Sequence, residues 1–201
     1  MSGKAEGPGS TGRSERRLRA DARRNVDALL EAAKAVFLAS GVDAPVREIA
    51  ERAGVGIGTI YRHFPRRSDL IVAVFRREVD ACADAAPALA AEHGPEEAMV
   101  RWIRRFVEFI SAKRGLAAAL HSGDPAYCAL PAYFQERLVP AFQGLLEAAA
   151  AAGKIRSGVE PYDFLRAVAS LSTPGADVGP DHARRMVDLL IDGLRYGASA
   201  R

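Results

Sequence analysis

Side chains able to do chemistry are thinly scattered through most of this chain. The histidines are His63, His93, His121 and His182, and the cysteines are Cys82 and Cys128. None stands at a metal-ligand spacing, there is no C-x-x-C, and no Ser, His and Asp arrangement suggests a nucleophile with its base. Both cysteines read as small buried residues. A disulfide framework, a metal site and a cofactor therefore have no support, and nothing positive argues for an enzyme. Charge says more. The net charge is +3, and the excess is all N-terminal: residues 1–64 hold eleven Lys/Arg against eight Asp/Glu, while 65–201 hold seventeen of each. It concentrates in Arg13, Arg16, Arg17, Arg19, Arg23 and Arg24. A basic N-terminal third on a neutral remainder suits contact with a polyanion.

Helices must position these groups. Residues 1–20, rich in Gly and Ser and then basic, read as a disordered basic leader. A helix is predicted over 22–39, where Val26, Leu29, Leu30, Ala33, Val36 and Phe37 recur at three- and four-residue steps. Ser40-Gly41 ends it. Pro45 opens a short helix over 46–53, and Gly54 stops it. Val55-Gly56 makes the turn into a third helix from Ile57 to Phe64, which Pro65 closes. Further helices are predicted from Arg66 to Ala86 and over 95–113, 116–121, 131–152 (bent at Pro140), 163–171 and 182–196. A breaker-rich loop lies between Ser172 and Pro180. No alternating strand or repeat occurs, no secretory signal is visible, and no apolar run approaches the ~20 residues of a membrane span. The expectation is a cytoplasmic all-α protein with no membrane partner. It divides into the leader 1–20, a three-helix helix-turn-helix domain 21–65, and a C-terminal helical ligand-binding and dimerisation bundle 66–201.

Two short helices joined by a tight glycine-containing turn, behind a longer one, have the spacing of a helix-turn-helix. The small core of the unit falls to Ile49, Ala50, Ala53, Val55, Ile60 and Phe64, and Ala50 and Gly54 suit a close crossing. The run Glu48-Ile49-Ala50 to Ala53-Gly54-Val55, then Gly58-Thr59-Ile60-Tyr61 and His63-Phe64, with Asp69-Leu70 downstream, closely resembles the signature of the TetR family of bacterial regulators. The resemblance covers about Val26 to Leu70. It implies a homodimer whose recognition helices enter successive major grooves of operator DNA and whose C-terminal domain binds a small effector. Position by position, it implies phosphate contacts for Arg47, Tyr61 and His63, and for Arg67 at the start of the fourth helix. Gly58 allows close approach to DNA, and Thr59 offers a hydroxyl or a methyl. Arg62 is the candidate to read a guanine edge, with a phosphate clamp or a solvated charge as alternatives, and Ile57 can meet a thymine methyl. Two departures remove hydroxyls: Gly56 stands where Ser or Thr is common, and Pro45 where Thr is often found. The arm Arg13–Arg24 either reaches the adjacent minor groove or backbone, or only solubilises the chain.

In the C-terminal region, aromatic residues with a few polar neighbours describe either a small-molecule cavity or a plain helical core. Trp102, Phe106, Phe109, His121, Tyr127 and Phe134 are the candidate contacts for an effector of unknown identity. The resemblance assigns dimerisation to the last two helices. There Val168, Leu171, Met186, Leu190 and Leu194 give apolar faces that serve either a partner or the chain's own core. The expected function is a repressor released by its effector; the alternative is an interaction or enzymatic domain whose helix-turn-helix is only structural.

Overall fold

The structure, a computed structural model, describes residues 10–112, 116–120, 122–172 and 180–196. These residues form helices and connecting turns, with no strand among them. In chain order the helices are α1 (Ser10–Ser40), α2 (Val46–Ala53), α3 (Ile57–His63), α4 (Arg67–Ala83), α5 (Ala85–Glu92) and α6 (Pro95–Ala112). Next come α7 (Ala117–Leu120), a 3-10 turn at Pro125–Tyr127, α8 (Leu130–Ala151), α9 (Pro161–Leu171) and α10 (Pro180–Arg195).

The punctuation of the first three helices acts as the residue types dictate. Pro45 sits at the N-cap of α2 with φ −58° and ψ 135°. Gly54 ends α2 in the left-handed region at φ 66°, where a Cβ would be strained, and its N–H reaches back to the Ala50 and Glu51 carbonyls. One departure lies further upstream. Helix α1 begins at Ser10 and not near Ala22, so the disordered leader expected over 1–20 is corrected for residues 10–20. After Gly12 that stretch has no Gly or Pro and consists largely of Arg, Ala, Leu and Glu, all good helix formers, and extending an existing helix is cheap compared with nucleating one. Residues 1–9 lie outside the described residues.

The segment from Arg66 is two helices and not one. Pro87 has no N–H for the Ala83 carbonyl, and its ring crowds that carbonyl, so α4 stops at Ala83 and α5 starts beyond Asp84. The break leaves the last carbonyls of α4 without helical donors. Trp102 of α6 answers one of them, its indole Nε1 donating to the Cys82 carbonyl at 2.9 Å. The Trp102 ring stacks between Phe106 and Phe142, with centroids at 5.8 and 5.2 Å. Cys82 is itself buried, and burial pushes its thiol up to about 12, which leaves it an inert packing group. Cys128, expected to be buried, is exposed on the turn before α8.

One apolar core runs through the molecule. It passes from Leu29, Phe37, Ile49 and Ile60 through Leu70 and Val74 of α4 to Trp102, Phe142, Leu165 and Ile191. Helix α4 is its spine. Lys34–Glu78 and Glu31–Arg77 ion pairs, both at 2.7 Å, bind it to α1. Toward α8, Asp80 accepts from the Tyr133 hydroxyl and from Arg137 Nε, each at 2.7 Å.

Candidate nucleic-acid interface and effector cavity

Helix α3 buries one row of side chains and presents the others. Ile60 is buried and Phe64 half-buried just beyond it, so both anchor the helix on the core. Residues four apart share a face, and the outward rows are Ile57 with Tyr61, Gly58 with Arg62, and Thr59 with His63. Ile57 is 47% exposed and Tyr61 50% exposed, unusual values for side chains of their type. Gly58, Arg62 and His63 are exposed and Thr59 is half-buried. Arg62 has no ion pair among the described residues. The N-cap, Gly56, brings no side-chain bond to the first turn, as its lack of a hydroxyl requires. A short helix with an outward arginine on a glycine-flattened row can lie against a groove.

The cations around α3 are not equally free. Arg47, on α2, is exposed and holds Glu51 at 2.8 Å, an exposed pair worth little and easily exchanged for a phosphate. Arg67 turns inward: its guanidinium donates to the Val42 carbonyl and, at 2.8 Å, to the Ala44 carbonyl, tying α4 to the α1–α2 connection. The exposed member of the doublet is Arg66, the N-cap of α4. Its amide and guanidinium both donate to Asp69, at 3.0 and 2.7 Å. That contact holds the Asp69 carboxyl below its usual range.

Deeper in the chain a cavity of about 330 Å³ opens between α4, α6, α7, the 3-10 turn, α8 and α9. Phe75 of α4, Ile110 of α6, Leu130 and Phe134 of α8, and Leu165 of α9 wall it, and Tyr127 faces it from the turn. Its polar side is Gln135, Tyr162 and Arg166. Volume and lining are those of a small-molecule site. The turn also touches the head electrostatically. Burial and then the Asp124 carboxylate push the Tyr127 phenol up, while Arg67 pulls it down, and Asp124 also supports the charge of Arg66. Asp124 caps its own turn by accepting from the Ala126 N–H at 2.8 Å.

Two family models match the chain: bacterial regulatory proteins of the tetR family over residues 29–74, and the C-terminal domain of SbtR-like transcriptional regulators over residues 94–196. The chain belongs to the TetR family. A TetR transcriptional regulator of Streptomyces coelicolor is 42% identical, with 84% of this chain and 97% of that one covered at a TM-score of 0.71. A TetR regulatory protein of Mycobacterium vanbaalenii is 37% identical over 89% and 99% of the two chains, also at 0.71. LfrR of Mycobacterium smegmatis, crystallised with proflavine, shares the fold at 23% identity and a TM-score of 0.63, covering 88% and 97%. An HTH-type transcriptional regulator of Staphylococcus aureus (strain USA300) is 39% identical over 64 residues, 31% of this chain, and the match spans only 35% of that curated relative's length.

As a TetR-family member the protein is a DNA-binding transcriptional regulator, with the fold of regulators and not of enzymes. Helices α2 and α3 lie within the stretch matched by the family's N-terminal model. Within this frame the structure redistributes several site residues. Arg67, assigned to phosphate by resemblance, is engaged with its own loop, while the Asp69 carboxylate, three residues on, accepts from the Arg66 amide and guanidinium and holds that side chain outside. Tyr127 and Phe134 line the cavity. Trp102 and Phe106 do not: both are fully buried in the stacked core. Phe109 faces the clefts between α1, α4 and α6 instead, and His121 lies outside the described residues. Sequence reasoning missed Phe75, Gln135, Tyr162 and Arg166, because the lining is drawn from five separate helices and a turn. On α9 and α10, Val168 and Leu194 pack inside the protomer and are corrected as interface residues. Leu171, Met186 and Leu190 are half-buried at the margin, and the outward face of α10 carries Leu189, 61% exposed, and Tyr196 just beyond its end, 86% exposed.

Proposed function

We propose that this protein is a cytoplasmic repressor that binds an inverted-repeat operator as a homodimer and is released by a small-molecule effector held in the cavity beside Phe75, Tyr127 and Phe134. One observation carries the reading: α4 reaches both sites. Phe75 puts this helix in the cavity wall, and eight residues earlier, about 12 Å along the axis, Arg67 holds the loop that leads into the helix-turn-helix. An effector that displaces Phe75 or the Tyr127 turn therefore acts on the element that sets the attitude of α3. Only a ligand with different affinities for the two attitudes shifts the balance, and a coupling of about 1–3 kcal/mol is typical.

A homodimer is supported by Met186, Leu189 and Leu190, which leave one side of α10 apolar and incompletely covered, while Ala183, Val187 and Ile191 face inward. A twofold pair would place two α3 helices about 34–36 Å apart, one turn of DNA. Fluorescence anisotropy on the chain's own promoter region, with scrambled DNA as control and sedimentation in parallel, tests the reading. Salt-sensitive, sequence-selective binding by a dimer is expected. A micromolar monomer, or equal affinity for scrambled DNA, would refute it.

A further inference from the structure

From the polar end of the cavity we infer that the ligand is a flat, largely apolar monocarboxylate, with its carboxylate at Arg166. The inference rests on the reading of this cavity as the effector site. Among the described residues that line it, Arg166, exposed at its rim, is the only charged one. It has no hydrogen bond or ion pair with any described residue, and its guanidinium stands 5.9 Å from the Tyr162 ring centroid, a loose contact that leaves its N–H groups uncommitted. Beside it, Gln135 Nε2 donates to the Tyr162 hydroxyl oxygen at 3.0 Å. With its oxygen accepting, that phenol has its own proton to donate. Arg166 and Tyr162 are thus both available as donors on the polar side, and no carboxylate is among the described residues that line the cavity, so none opposes an anion or attracts a cation. A carboxylate satisfies such a pair, and its bond to the guanidinium is of the stronger, charge-assisted kind. The body of the ligand is fixed by the remaining wall, where the rings of Phe75, Tyr127 and Phe134 favour a planar aromatic frame.

Three probes with one ring and three charges test this: 2-naphthoate, 2-naphthamide and 2-naphthylmethylammonium, titrated calorimetrically into the full-length protein. The carboxylate should bind about tenfold more tightly than the amide, the size of one charge-assisted hydrogen bond, and the ammonium most weakly. Arg166→Gln should erase most of the preference for carboxylate over amide, and a far-ultraviolet circular dichroism spectrum and Tm equal to wild type certify the variant as folded. Tyr162→Phe should reduce it in part. Equal binding of carboxylate and amide, a preference that survives Arg166→Gln, or no binding of 2-naphthoate at millimolar concentration overturns the inference. Operator affinity with and without 2-naphthoate is read separately. A charge-selective ligand that leaves operator affinity unchanged would overturn the effector reading and leave the assignment of Arg166 standing.

Discussion

Replacing Arg67 by Ala separates two jobs that a cation at the start of α4 can do. In the structure it ties that helix to the Val42 and Ala44 carbonyls from a part-buried position. Bonds from a charged donor contribute about 1.5–3 kcal/mol each when desolvated; partial exposure lowers the sum of the two to about 2–3 kcal/mol. For a chain of this length that is a fall in Tm of about 5–10 °C. A phosphate contact behaves otherwise. Its loss leaves Tm alone and flattens the dependence of log K on log salt by nearly one per protomer, about 0.9. Differential scanning calorimetry of the free protein and anisotropy titrations from 50 to 200 mM salt (on the order of the range in which such slopes are read) measure both quantities on one preparation. The expected result is a lower Tm with the slope of wild type. Arg67→Lys should recover only part of the loss, because an ammonium lacks the fork that spans two carbonyls. An unchanged Tm with a flattened slope would show that Arg67 leaves its loop on the operator and that the anchoring argument is wrong.

Arg62→Ala should relax base preference at one position of each half-site and cost about 1–3 kcal/mol there, read from a panel of operator substitutions; an unchanged preference profile rules it out as a base reader. Trp102→Phe keeps most of the ring stack but leaves the Cys82 carbonyl buried without a donor, so chemical denaturation should report a loss of about 1–3 kcal/mol. Stability equal to wild type would mean another group supplies the bond. The Tyr127 and Tyr133 phenols are both raised above 10, the first mainly by burial and the second by burial and its bond to Asp80. Raised phenols favour the fold while protonated, so their contribution is complete below the unfolded value near 10 and is lost as pH climbs through the folded values. Absorbance titration should show a late-ionising fraction that Tyr127→Phe and Tyr133→Phe each diminish.

The helix-turn-helix was legible because local chemistry decides it. Pro45, Gly54 and Pro65 act on their own backbone and immediate neighbours, so α2 falls where the residues place it, and Ile60 lies inward because the apolar period requires it. Other features depend on partners that a single chain does not name. Pro87 acts on a carbonyl four residues back, so the break after Ala83 was hidden inside an alanine-rich run that otherwise reads as one helix. The aromatic residues of α6 were identified as a group, but whether Trp102 faced a void or Phe142 depended on where α8 lay. The same holds for Leu194, whose stripe on α10 is equally good for a sister subunit or for the protomer's own interior. Arg66 and Arg67 are chemically identical, and the geometry of the α1–α2 loop, not composition, sends one inward.

The continuity of the core across α4 bears on how this regulator can be re-engineered. Leu70, Ile71 and Val74 are buried in the same apolar body as Leu29 and Phe37 of α1 and as the helices that follow. Interiors packed at crystal-like density do not deform smoothly, so the reading head cannot swivel on a loose tether; it shifts by small sliding steps or not at all. It also cannot be exchanged as a cassette cut at Pro65. A chimera that grafts a relative's head here must bring that relative's matching α4 surface with it, or accept a seam of mismatched methyl groups where sensing is converted into DNA release.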